Sequence, residues 1–129
     1  MNQELTDKLY NEFPKLFRYY KEKTNPIIPM AFGFECNDGW FPIIRLCAKM
    51  IKHEAEQNNL DAWAFQVKEK FGGLRFYIEG ANEKIYDIIS FFESLSYNVC
   101  EDCGTTVNVE TGTHKGAWIR TLCTKCIEK

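Results

Sequence analysis

Two C-x-x-C pairs toward the end of the chain constrain its fold more than any other feature. Cys100-Glu-Asp-Cys103-Gly104 and Cys123-Thr-Lys-Cys126 bracket the stretch 104–122. A two-residue gap lets both thiolates of a pair turn toward one ion from a tight knuckle, and Gly104 permits the turn that follows. A second knuckle at this separation closes a tetrahedral site. The pattern predicts a zinc-ribbon or treble-clef-like module in which Cys100, Cys103, Cys123 and Cys126 hold Zn2+. With every coordination position taken by sulfur, the ion is structural rather than catalytic. Two disulfides, or four unrelated thiols, are the competing readings. The N-terminal stretch MNQELTDKLYNEF lacks the basic-then-apolar pattern of a secretory leader. A cytoplasmic, thiol-reducing setting is therefore expected, which favours metal over disulfides. Val107, Val109, Trp118, Ile119 and Leu122 suggest a small hairpin over the metal; His114 in its loop could replace a cysteine as ligand, against a plainer role facing solvent.

The 129 residues suit an α+β body over 1–98 with the cysteine module, 99–129, packed on it. Hydrophobic residues at 45%, with 15% aromatics, supply a core. No apolar run approaches the roughly 20 residues of a membrane helix, so no membrane association is expected. A net charge of -2 disfavours nucleic acid as a partner, because phosphate binding needs a basic footprint.

Apolar spacing predicts a helix over 4–22, starting at Thr6 or Asp7, with a kink or a break into two short helices at Pro14. A connector follows, with a short strand at 30–36. Asp38 is then a candidate N-cap. Ile43, Leu46, Cys47, Met50 and Ile51 form an amphipathic stripe, with Cys47 as a small core residue. From residue 62 to 79 the period drops to two around Gly72-Gly73, which predicts a β-hairpin. Taking that pair as the turn sets Phe71 against Leu74, Lys70 against Arg75, Lys68 against Tyr77 and Val67 against Ile78. Trp63, Phe65, Val67, Phe71, Leu74, Phe76 and Ile78 then form an apolar face, and Gln66, Lys68, Lys70, Arg75, Tyr77 and Glu79 a polar one. A helix over 82–97, with Ile85, Ile88, Ile89, Phe92 and Leu95, covers the apolar face. The fold class is α+β: helices on a small antiparallel sheet.

The polar hairpin face is the candidate ligand site. Like charges facing each other across a ribbon are unfavourable unless something neutralises them. Lys68, Lys70 and Arg75 beside Tyr77 can seat a phosphate and a base or ribose. A solvated surface, its cations paired with Glu69, Glu79 or Glu83, is the plainer reading. The loop Gly33–Trp40 adds Asp38 and Trp40 as candidate wall residues, against a plainer role for Trp40 in the core. Glu35, Cys36 and Asp38, or Cys36 with His53, are the weaker case for a hydrolase, without an orienting partner. The chain has no phosphate-binding glycine loop, no H-E-x-x-H and no G-x-S-x-G.

Gly33-Phe34-Glu35-Cys36 with Asp38-Gly39-Trp40, the run Gln66-Val67-Lys68-Glu69-Lys70-Phe71-Gly72-Gly73-Leu74-Arg75-Phe76-Tyr77, the C-x-x-C-G knuckle and Trp118-Ile119-Arg120-Thr121-Leu122-Cys123 together resemble a family of small proteins encoded by phages, prophages and bacteria. The resemblance covers about residues 32 to 126. The VKEKFGGLRFY hairpin motif is its most specific part. That family brings no established activity or catalytic residue. The resemblance implies a context, in the host cell cytoplasm, where small phage accessory proteins often block defence and some sequester nucleotide signals. The leading expectation is a non-enzymatic protein that binds a small anionic, nucleotide-like ligand, an anti-defence sponge. The alternative is a zinc-stapled adaptor that docks on a host protein.

Overall fold

The structure, a computed structural model, describes residues 1–18, 30–116 and 118–129. Asn2 starts the first helix, α1 (Gln3–Glu12): its side chain accepts the Leu5 N–H at 2.9 Å. The cap therefore lies upstream of Thr6 and Asp7. The helix ends at Phe13 because the residue before a proline is driven out of the α region. Turns replace the expected continuation beyond Pro14, and Tyr20 lies outside the described residues. Leu9, Tyr10, Phe13, Leu16 and Phe17 are buried.

The strand expected at 30–36 shrinks to β1 (Phe34–Glu35), because Met30 and Gly33 both take positive φ and turn the chain. A 3-10 turn at Asp38–Trp40 then leads into α2 (Phe41–Gln57), with Pro42 in its first turn. The buried arc of α2 comprises Ile43, Ile44, Cys47, Ala48 and Ile51. It is rotated from the expected stripe, so that Leu46 and Met50 are half exposed.

Strands β2 (Trp63–Lys70) and β3 (Gly73–Glu79) form the hairpin, and β1 joins β2 in parallel, giving the order β1-β2-β3. The register differs from the expected one. Lys68 faces Arg75, Glu69 faces Leu74, Lys70 faces Gly73 and Val67 faces Phe76. The turn is Phe71-Gly72, with φ of +52° and +85°. Both central residues of a type I′ turn need positive φ, the geometry that matches strand twist. A second irregularity, between Ala64 and Gln66, bulges the strand at Phe65. The two shifts correct the expected apolar face: Phe65 and Phe71 point outward, and Ala64, Val67, Leu74, Phe76 and Ile78 are the buried set.

Asn82 caps α3 (Glu83–Ser96), accepting the Ile85 N–H at 3.0 Å. Ile85, Ile88, Ile89 and Phe92 are buried as expected. This helix also closes the free edge of β3. Ser96 Oγ accepts the Leu74 N–H and the Glu93 carboxylate accepts the Phe76 N–H, each at 2.9 Å. Side chains thus satisfy donors that an edge strand would leave open.

The C-terminal region holds β4 (Val109–Thr113) antiparallel to β5 (Ile119–Cys123), then α4 (Thr124–Ile127). Its apolar cluster is small: Cys100, Leu122 and Cys123, flanked by Val109, Cys126 and Ile127. The described residues form a mixed α+β fold with four α-helices, and none of these is long and apolar enough to cross a membrane.

Candidate metal centre and hairpin face

Cys100 and Cys103 sit in the knuckle before β4, and Cys123 and Cys126 where β5 runs into α4. Gly104 turns at φ +82° and returns its N–H to the Cys100 carbonyl at 2.9 Å, which closes the first knuckle. The four Sγ atoms lie within 4.8 Å of one another. Cys103 and Cys123 are 3.7 Å apart at sulfur. That is the edge of a tetrahedron with ~2.3 Å metal–sulfur bonds, about 3.8 Å. All four thiols are free. The arrangement can hold a metal ion.

The local field favours the thiolate at Cys100 and opposes it at Cys103 and Cys126. Burial opposes ionisation of Cys100, but N–H groups of Cys103, Cys123 and Asp102 outweigh it and bring the thiol down to about 7. Cys126 is pushed up to about 12 by burial and by the neighbouring thiols. The four cannot all ionise unaided near neutrality, so a cation that binds them displaces protons. His114 stands apart from the set, with its Nε2 2.9 Å from the Glu110 carbonyl.

The centre is joined to the body along a seam of long-range contacts. The Gly39 N–H donates to the Glu101 carbonyl at 2.8 Å. A Cβ on Gly39 would fall 2.2 Å from the Cys100 carbonyl oxygen, so no other residue fits. Trp40 is wholly buried, and its Nε1–H donates to the Val99 carbonyl at 2.9 Å. Glu101, buried, accepts the Asn37 N–H at 3.0 Å and lies 3.6 Å from Arg120. Asp102 accepts from Asn37 Nδ2 at 2.7 Å and from Arg120 at 2.6 Å. Thr121 Oγ1 donates to the Gly72 carbonyl at 2.6 Å, which fastens the hairpin turn to β5. Asn37, Glu101, Asp102, Arg120 and Thr121 were not legible as a set, since no local pattern links positions so far apart.

The expected ligand residues separate. Trp40 offers no ring face to a ligand. Asp38 instead holds α1, accepting the Asn2 N–H at 2.7 Å and Asn2 Nδ2 at 3.0 Å. Lys68, Lys70, Arg75 and Tyr77 do share the outer hairpin face, with Lys68 rather than Lys70 opposite Arg75. The Arg75 guanidinium is engaged by the Leu74 carbonyl and by Tyr97 Oη. Lys68 and Lys70 have no ion-pair partner among the described residues. The Lys70 ammonium lies 5.7 Å from the centroid of the Phe71 ring. Phe71 and Tyr77 are exposed beside these cations, at 66% and 42%.

The groups considered for hydrolysis are not arranged for it. Cys36 is buried, and that burial, with the nearby Glu101 charge, pushes its thiol up to about 12. His53 is exposed on the outer side of α2. Glu35 lies on β1, where Gln66 Nε2 reaches it at 3.4 Å. Compared with family models, curated proteins and solved structures, the chain gives no significant match.

Proposed function

We propose that this protein is a zinc-stapled interaction adaptor that presents the outer hairpin face and its turn to an acidic surface on another protein. The observation that carries the reading is Phe71. A bulky residue at positive φ costs roughly 1–2 kcal/mol, and Asn, Asp or Gly normally fills this turn position. Here a phenylalanine occupies it with its ring in solvent. Strain that brings no burial points to a role outside the chain. The Lys70 ammonium lies beside the ring, and Lys68 and Tyr77 continue the same hairpin face, so an exposed aromatic is accompanied by cations that can meet acidic groups.

Zinc suits the four-sulfur donor set and a site with no open position. Its role is to hold β5, and through Thr121 the hairpin turn, in place. The resemblance to phage-encoded proteins supports a host protein in the bacterial cytoplasm as the partner. Binding of a small anionic ligand remains the second reading, supported by Lys68 and Lys70, which have no ion-pair partner among the described residues.

The test compares capture of partners by the wild-type chain, Phe71→Ser and Lys68→Glu/Lys70→Glu, with Lys129→Glu as a control. A partner retained by wild type and control but lost from both variants supports the adaptor. Equal capture by all four rejects it. A thermal shift with phosphate, cyclic nucleotides or ADP-ribose, abolished by Lys68→Glu/Lys70→Glu, supports the ligand reading instead.

A further inference from the structure

The outer side of the α2–α3 pair carries an apolar seam that the body leaves uncovered. Leu46, Met50 and Ile88 floor a groove of about 360 Å³, with Lys49, His53 and Lys84 on its rim. Leu46 and Met50 are 48% and 47% exposed. The one acid lining the groove, Glu54, is already engaged by Asn58, Asn82 and Lys84. The groove is therefore apolar at its floor and cationic at its edge, and it suits an apolar anchor accompanied by a carboxylate.

The chain itself supplies that pairing. Phe91 of α3 is 61% exposed. It follows Lys84 and Ile88 by seven and three positions, so helical spacing puts it on the groove side of α3. Asp87 lies one turn before it on the same side, exposed and without an ion-pair partner among the described residues. Lys49 is likewise without one.

The levels of these groups match across a twofold axis. Lys84 meets Glu54 at 3.3 Å, so α3 begins where α2 ends and the two helices run antiparallel. Counting back along α2 and forward along α3, Ile88 lies level with Met50, and Phe91 lies between the levels of Leu46 and Met50. Asp87 comes level with the Lys49–His53 turn. If a second molecule is related by an axis parallel to the helices, its α3 lies against this α2 at the same height. Its Phe91 then enters between Leu46 and Met50, and its Asp87 meets Lys49. The contact is isologous, each chain giving one plug and one socket.

We propose that two copies of this chain dimerise through their α2–α3 faces, as a four-helix layer seated on Phe91 and paired by Asp87 and Lys49. The experiment is sedimentation equilibrium on the metal-loaded protein up to about 100 µM, a range that detects weak self-association. The expected result is the mass of two chains. Leu46→Glu and Phe91→Glu, each at an exposed position and each with unchanged circular dichroism, should return it to one. Lys49→Glu should raise the dimer dissociation constant about tenfold, and adding Asp87→Lys should recover most of that loss. A wild-type chain that stays monomeric throughout overturns the proposal. So does a dimer that Leu46→Glu and Phe91→Glu leave intact. A charge swap that fails to restore association rejects the Asp87–Lys49 pairing and the axis drawn from it.

Discussion

The hydroxyl of Thr121 donates to the carbonyl of Gly72 across 49 positions of sequence, and so ties the hairpin turn to the strand that carries Cys123. Thr121 is fully buried and also meets the Thr111 hydroxyl at 2.6 Å. Thr121→Val keeps the shape and removes the donor to the buried Gly72 carbonyl. It should cost about 1–3 kcal/mol in urea unfolding. Amide exchange at the turn should rise more than exchange in α3. Equal acceleration in both would mean that the bond does not act locally.

Stripping the metal should have a regional effect. The apolar cluster around Cys100 and Leu122 is too small to hold the 99–129 region alone, and structural zinc can supply on the order of 10 kcal/mol. Elemental analysis should find one zinc per chain, and chelation should remove exchange protection from β4, β5 and the Phe71-Gly72 turn. Helical circular dichroism from the body, which has its own core, should largely persist. A chain that keeps β5 protected after chelation would argue against a metal staple.

Phe71→Asn separates stability from binding. Asparagine accepts positive φ readily, so the variant should be more stable than wild type by about 1 kcal/mol. It should also lose the partner. Destabilisation would show that the ring holds the turn rather than the interface.

Gly39→Ala tests the seam sterically. The obstructing atoms are the backbone carbonyls of Cys100 and Glu101, at 2.2 and 2.5 Å from the added carbon, and they cannot swing aside. The expected loss is about 2–3 kcal/mol, read as a lowered urea midpoint.

Thiol chemistry provides the pH prediction. Cys36 rises from 9.0 to about 12 in the folded protein because burial disfavours its thiolate. The unfolded chain therefore releases this proton first. Stability is unaffected well below pH 9 and declines as pH climbs from there toward the folded value. Cys47 shifts in the same direction, again chiefly from burial. At pH 8, an alkylating reagent should leave both thiols intact in the native protein. It should modify the four cluster cysteines only after chelation, and all six in urea. Rapid native labelling of Cys36 would reopen the nucleophile reading.

The parts of the fold that could be read in advance depend on local rules. The four cysteines were legible because knuckle spacing alone sets where their sulfurs point. The helix carrying Ile85, Ile88, Ile89 and Phe92 was legible through its period. The hairpin was placed correctly but slipped in register. Phe71 looks like a strand residue, and only the pairing of Lys70 with Gly73 reveals it as the first half of the turn. The seam was illegible for a different reason. Gly39 and Trp40 owe their positions to Val99, Cys100 and Glu101, and such distant partners leave no periodic trace.

Those seam contacts also impose an order in time. Gly39, Trp40 and Gly72 each wait for a partner between residues 99 and 121. During synthesis the hairpin leaves the ribosome well before the groups that lock its turn. Until β5 has formed, the Phe71-Gly72 turn is held only within the hairpin, by the Gly72 N–H on the Glu69 carboxylate, and the strand that carries Cys123 adds the second tie last.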